Sequence, residues 1–160
     1  MKLLRCLALF VLPLAFIASC AKQAPVAAAG KPPKHEHHPP HGGTPVVLGD
    51  EVYHVELVRD AAAGKLQAYV FDGELENFIR SSVPSIEIDA IVNGTPKALV
   101  LDAVANPATG ETVGDTSLFE AQADWLKTTG DFDATLKSIT VRGNTFTAVK
   151  FNFPKGNDTD

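Results

Sequence analysis

The sequence predicts an all-β protein, whose domain is a single immunoglobulin-like antiparallel β-sandwich of about seven strands with one short helical turn. The prediction depends on short runs of alternating apolar and polar residues, on turn residues between them at hairpin spacing, and on the lack of intervening helical periodicity. A sandwich buries two such faces, and a small β-barrel is the alternative. The 160 residues, 45% of them hydrophobic, suit one domain.

The predicted strands begin after Gly42 with a short edge strand at residues 45–48. Residues 51–59 follow, with apolar side chains on one face and His54 and Glu56 on the opposite, polar face. Asn93-Gly94 is a strong hairpin signal, because both residues adopt positive φ at low cost. The remaining predicted strands are residues 66–71, 85–92, 97–103, 118–122, 136–141 and 145–153.

Residues 116–128 carry two conflicting patterns. Ser117 and Glu120 have the spacing of a capping box, which favours a helix, whereas Phe119, Ala121 and Ala123 alternate as in a strand. We expect a strand at 118–122, followed by one helical turn at 123–127 that carries Trp125 into the core.

The chain begins with the pattern of a secretory signal. Lys2 and Arg5 precede an apolar run at residues 7–17, which is too short to span a bilayer comfortably. The run ends in Ile17-Ala18-Ser19-Cys20, which resembles the lipobox of bacterial lipoproteins. The resemblance implies that residues 1–19 are removed and that Cys20 carries the lipid. An ordinary signal peptide with an incidental cysteine is the alternative.

The lipobox resemblance also has implications for location. With Ala21 after the cysteine, it implies a protein of the bacterial cell envelope, lipid-anchored in the outer membrane and facing the periplasm. Residues 20–41 are rich in Pro and His and predict an extended tether, and residues 42–160 form the β domain.

Four of the five histidines lie close together in the tether. They are His35, His37, His38 and His41, in the sequence His-Glu-His-His-Pro-Pro-His. Imidazole is a good ligand for Cu²⁺ and Zn²⁺, and clustering lowers the loop-closure cost of bringing several ligands together. The pattern predicts a Cu or Zn site, and the alternative is a solvated linker whose histidines are incidental.

His54 and Glu56 extend this hypothesis into the domain. Their Cα atoms are about 7 Å apart on one face of a strand, and the segment after His41 is short enough to bring that histidine to the same face. A constellation of His41, His54 and Glu56, completed by another tether histidine, is therefore a candidate metal site. A solvent-exposed histidine on a strand is the simpler alternative.

A second resemblance begins at His41-Gly42-Gly43 and continues through a short strand to Val52-Tyr53-His54-Val55-Glu56-Leu57. This segment is similar to the small β domain of periplasmic adaptor subunits of heavy-metal efflux systems, and the likeness covers residues 41–72. It implies extracytoplasmic metal handling. The chain lacks the long coiled-coil hairpins of those adaptors, so the resemblance does not extend to pump assembly.

Other function classes find little support in the sequence. A net charge of −5 without a basic run argues against nucleic acid as a partner. We expect no enzyme, because no nucleophile elbow, zincin helix or dinucleotide motif is present. The hypothesis is a lipid-anchored protein that buffers or transfers Cu or Zn near metal efflux components. The alternative is a non-catalytic structural or interaction lipoprotein that contacts another envelope protein.

Overall fold

Eight antiparallel strands form one sheet in residues 38–158, the part of the chain that the structure, a computed structural model, describes. The predicted signal segment, Cys20, His35 and His37 lie outside the described residues. The strands are β1 (Thr44–Leu48), β2 (Tyr53–Asp60), β3 (Lys65–Asp72), β4 (Ser85–Val92), β5 (Thr95–Ala103), β6 (Leu118–Gln122), β7 (Phe132–Val141) and β8 (Asn144–Phe153), with a 3₁₀ turn, η1 (Asp124–Lys127), between β6 and β7.

The strand order in the sheet is β1-β2-β3-β6-β5-β4-β7-β8, and every neighbouring pair is antiparallel. The sheet curls until its two edge strands, β1 and β8, approach each other. The all-β prediction is confirmed, and the nearly closed, barrel-like sheet fits the small-barrel alternative. It has eight strands in one continuous sheet, whereas a sandwich would divide them between two.

The core lies inside the curled sheet. Alternate residues of each strand point inward, as the sequence alternation predicts: β4, for example, buries Ile86, Ile88, Ala90 and Val92. Inward residues of β2 and β3 belong to the same core cluster inside the curled sheet. The largest fully buried aliphatic side chains are Leu48, Leu57, Leu66, Ile86, Ile88, Leu101, Leu126, Leu136 and Ile139.

The C-terminal residues close the gap between β1 and β8. The Asn157 side chain behaves like a peptide group: its Oδ1 accepts a hydrogen bond from the Val47 N–H at 2.7 Å, and its Nδ2 donates to the Val47 carbonyl at 3.2 Å. Gly156 lies directly against the Pro45 carbonyl. The edge of β1 is therefore covered by a side chain and a glycine, without a further strand.

The buried face changes along β7 and β8. In β7, Leu136 and Ile139 are both buried although they are three residues apart, and the residues between them are exposed. Across the ladder in β8, Ala148 has a φ of 53°, which interrupts the regular alternation. The two strands switch faces together at this point, so that Phe146 can pack against Tyr53.

The predicted helical turn is present as η1, and Trp125 packs against the core, though only partly buried. Leu126 is fully buried, whereas Trp125 is only partly buried and packs edge-to-face on Phe132 with ring centroids 5.1 Å apart. The Arg59 Nε–H donates to the Leu126 carbonyl at 2.6 Å and ties the turn to β2. Within residues 38–158, no helix has the length and apolar character needed to cross a bilayer.

Candidate functional site

The outer face of β2 is buried, contrary to the expectation of a solvated polar face. His54 and Glu56 each have a relative exposure of 0%, although Val55 and Leu57 on the opposite face occupy the core. The alternative of a solvent-exposed His54 is therefore wrong. Chain segments outside the sheet cover these polar side chains, and strand alternation alone does not reveal such a cover.

The cover consists of residues 41–43 and aromatic side chains from β3 and the segment that follows it. The Phe71 and Phe78 rings are stacked with centroids 4.6 Å apart, and the His41 imidazole is stacked on Tyr69 at 4.0 Å. Phe71 is buried outside the main core. We call the following six residues the outer cluster: His41, His54, Glu56, Tyr69, Phe71 and Phe78.

Strand register places the members of the outer cluster side by side. His54 lies opposite Phe71, and Glu56 lies opposite Tyr69, in the β2–β3 ladder. Cross-strand neighbours of this kind have Cβ atoms about 5 Å apart. On β3, the neighbour of the Glu56 carboxylate is thus an aromatic ring. The carboxylate needs hydrogen-bond donors from outside the sheet.

Three donors from the preceding segment satisfy Glu56. Its Oε1 accepts hydrogen bonds from the backbone N–H groups of His41 and Gly43, both at 2.8 Å. Its Oε2 lies 2.7 Å from the His41 Nδ1. A buried carboxylate needs this degree of compensation, because an unpaired charge away from water is strongly unfavourable.

Steric constraints explain why glycine occupies both positions after His41. Gly42 has a φ of +66°, in the left-handed region, and turns the chain so that the flanking amides converge on Glu56. A Cβ on Gly43 would lie 2.5 Å from the Leu57 carbonyl oxygen and 2.9 Å from the Glu56 Cγ. The His-Gly-Gly sequence thus allows one short segment to approach β2 closely enough to bind its buried carboxylate.

The contact with Glu56 also determines which nitrogen of His41 is available for coordination. When Nδ1–H donates to the carboxylate, the neutral imidazole keeps its lone pair on Nε2. The His41 side chain is 33% exposed, whereas the Glu56 side chain is fully buried. A carboxylate behind a histidine is the arrangement that commonly orients metal-binding imidazoles in proteins.

The structure brings together only some of the predicted metal-binding residues that it describes. His41 and Glu56 are brought together, whereas both Glu56 oxygens are occupied by hydrogen bonds. His54 is buried with its Nδ1 3.3 Å from the Asp72 carbonyl oxygen. His38 is exposed, and His35 and His37 lie outside the described residues. Among residues 38–158, no group of three or more His, Cys, Asp or Glu side chains is placed to hold a metal ion.

Sequence reasoning missed the aromatic part of the outer cluster. The available signal was the uninterrupted apolar run Ala68-Tyr69-Val70-Phe71, because a strand that is apolar on both faces is typically covered on both. Burial, together with the carboxylates of Glu120 and Glu56, raises the pKa of the Tyr69 hydroxyl. That hydroxyl therefore stays neutral at physiological pH.

The fold and this cluster together define a small, barrel-like all-β domain with a histidine–carboxylate contact on its outer face. Comparison with protein-family models, curated proteins and solved structures found no match to the chain.

Proposed function

We propose that this protein binds a transition metal, Cu or Zn, through its histidine-rich segment. In this proposal the His41 Nε2 is one ligand, and the neighbouring His35, His37 and His38 supply the others. The observation that carries the proposal is the 2.7 Å contact between Glu56 and the His41 Nδ1, which leaves Nε2 as the free lone pair of the neutral ring. A hydrogen-bonded carboxylate also makes an imidazole a more basic ligand.

The contact between Glu56 and His41 reduces the number of ligands that the histidine-rich segment must order when it binds a metal. A flexible histidine-rich chain must order all its ligands when it binds a metal, whereas here one of them is already held against the domain. In this arrangement Glu56 orients His41 and does not bind the metal itself, because both of its oxygens are occupied by hydrogen bonds. His54, which the sequence also suggested as a ligand, is fully buried, so a metal ion could reach it only if the residues that cover it moved.

We further propose that the protein is lipid-anchored through Cys20 in the bacterial cell envelope and faces the periplasm from the outer membrane. The Ile17-Ala18-Ser19-Cys20 sequence supports this proposal, as does the Pro- and His-rich segment between Cys20 and the domain. The role would be to buffer or transfer Cu or Zn near metal efflux components, in agreement with the resemblance of residues 41–72 to efflux adaptor domains.

Metal titration tests the proposed site. We expect residues 21–160 to bind Cu²⁺ or Zn²⁺ in isothermal titration calorimetry, and a variant with His35, His37, His38 and His41 changed to Ala to lose that binding. The chain should start at residue 21 because a free thiolate at Cys20 would itself bind either metal. Equal binding by the original chain and the four-histidine variant would contradict the proposal.

A conservative change at Glu56 tests whether metal binding depends on the orientation of His41 by Glu56 or only on the closeness of the histidines in the sequence. In Glu56→Gln, the amide nitrogen can donate to the His41 Nδ1, which would place the ring proton on Nε2 and block the proposed ligand atom. We expect metal affinity to fall about tenfold or more. Glu87→Gln is the matched control, because Glu87 forms a surface ion pair with Lys137 on β4 and β7.

Lipid attachment has its own test. In a bacterial host, Cys20→Ser should leave an unacylated precursor that is not cleaved before residue 20, since the serine hydroxyl cannot form the thioether. Mass spectrometry of the membrane fraction measures both the cleavage and the acyl mass. Normal maturation of the Cys20→Ser protein would show that an ordinary signal peptidase processes the chain and that it carries no such anchor.

A structural or protein-interaction role is the second candidate, and one observation favours it. The hydrogen bonds of Glu56 attach the end of the tether to the barrel without any metal, so His41 has a structural task of its own. In this role the histidines bind no metal and the domain contacts another envelope protein. The calorimetric comparison above distinguishes the two candidates.

A further inference from the structure

A cavity of about 280 Å³ opens beside the outer cluster, between β3 and the segments around residues 78–80 and 106–117. Tyr69 and Phe78 line it on one side, and Arg80, Asn106 and Glu111 line it elsewhere. Its volume is at the lower end of the range for small-molecule sites. His41, the proposed metal ligand, is not among its lining residues.

The aromatic side of the cavity is open. Phe78 is 53% exposed, although its ring is stacked on the buried Phe71. The Tyr69 ring lies 6.2 Å from the Phe78 ring, centroid to centroid, at an angle of 49°. Two neighbouring rings that line an open cavity provide an apolar surface for the flat face of a ligand.

The polar side of the cavity is held in place by an internal network. The Arg80 guanidinium donates to Asp115 at 2.8 Å and to the Thr109 carbonyl at 2.6 Å. Glu111 accepts hydrogen bonds from Ser117 and Thr109, and its Oε1 lies 4.0 Å from the Arg80 Nε. Burial alone would raise the pKa of Glu111, but these hydrogen bonds and Arg80 outweigh it and lower the pKa, so the carboxylate stays ionised.

The charges in this network restrict the class of ligand. The charged residues that line the cavity are one guanidinium and one carboxylate, Arg80 and Glu111, so neither an anionic nor a cationic ligand gains net attraction. A cationic ligand would meet the fixed guanidinium of Arg80. The cavity therefore favours a neutral ligand.

Two polar groups on the cavity wall require a ligand with hydrogen-bonding groups. Asn106 and Arg80 line the cavity and carry side-chain N–H donors, and the Asn106 Oδ1 already accepts from the Ala108 N–H. A purely apolar ligand would remove these donors from water without compensation. A ligand with one apolar face and several hydroxyl groups satisfies both sides of the cavity.

We propose that this cavity binds a neutral sugar residue. The apolar C–H face of the ring would lie on Phe78, with the inclined Tyr69 ring beside it, and its hydroxyls would accept hydrogen bonds from Asn106 and the remaining N–H groups of Arg80. This site adjoins the proposed metal site, because His41 packs against Tyr69 and lies near Phe78, and it adds a neutral carbohydrate to the ligands of the protein.

Titration followed by two-dimensional ¹H–¹⁵N NMR tests the proposal. Residues 21–160, which include every described contact, are titrated in the presence of a chelator with glucose, galactose, mannose and N-acetylglucosamine, and with the trisaccharide of the last. We expect saturable shifts at the amides of Phe78, Arg80 and Asn106 for at least one sugar, with a monosaccharide Kd of about 1 mM. The chelator makes the result independent of metal binding.

Two substitutions provide the comparison. Phe78→Ala should weaken sugar binding at least about tenfold, because it removes the more exposed ring. Val113→Ala is the matched control: Val113 is 65% exposed near the cavity but does not line it. The proposal is overturned if no sugar gives saturable shifts, or if Phe78→Ala binds as well as the unchanged chain. The proposal is also overturned if a peptide of residues 24–37 gives saturable shifts at the same amides and no sugar does.

Discussion

Gly156→Ala should destabilise the domain by about 2–4 kcal/mol and lower the Tm by roughly 8–15 °C. Gly156 has a φ of +81°, and an added Cβ would overlap the Pro45 carbonyl oxygen of β1. The adjacent Asn157 makes both hydrogen bonds that cover the Val47 peptide. Displacement of Gly156 should therefore open the contact between β1 and the end of the chain.

Gly94→Ala is the matched control for this prediction. Gly94 has a similar φ of +75°, but an added Cβ would meet nothing within 4 Å. Gly94→Ala should destabilise the domain only through backbone strain, by about 1 kcal/mol. Urea denaturation of the two variants measures the difference. Equal losses of stability would mean that the close approach to Pro45 does not contribute to barrel closure.

Glu56→Ala should destabilise the domain by about 3 kcal/mol. The substitution leaves the backbone N–H groups of His41 and Gly43 and the His41 imidazole without their acceptor. It also opens a cavity beneath the aromatic rings of Tyr69 and Phe78. Hydrogen exchange at the Gly43 amide should accelerate, because the segment that covers β2 would no longer be held to it.

A second glutamate, on the sheet surface, provides the comparison for Glu56. Glu87 pairs with Lys137 at 2.7 Å, and both side chains are about half exposed. Because exposed ion pairs contribute little, Glu87→Ala should change the free energy of unfolding by less than about 0.5 kcal/mol. A Glu56→Ala loss as small as that of Glu87→Ala, with unchanged exchange at Gly43, would contradict a buried carboxylate that holds the His-Gly-Gly segment.

Strand positions were largely predictable from the sequence, because alternation is a local property. The strands predicted at residues 85–92 and 118–122 agree with β4 and β6, and most others differ by one or two residues at their ends. β7 begins at Phe132, four residues before its predicted start. The eight segments predicted as strands correspond one to one to β1–β8, so the estimate of about seven strands was one too low.

The candidate site was predictable in part. The short connection after His41 allowed that histidine to reach the strand that carries Glu56, and the two do meet. The burial of His54 and Glu56 was not predictable, because it depends on residues 41–43 and on aromatic side chains folding over a face that alternation marks as polar. The sugar-sized cavity likewise combines Tyr69, Arg80 and Asn106, which are distant in sequence.

The amino-acid order by itself determined an all-β domain, the place of its turns and the histidine-rich entry to it, since these depend on residues a few positions apart. Only the tertiary structure decided that one sheet curls into a barrel. Where the two edges of the sheet approach each other, the contact between Asn157 and Val47 joins residues that are 110 positions apart. The tertiary structure also decided that Glu56 is a buried hydrogen-bond acceptor, because burial depends on which distant segments cover a strand.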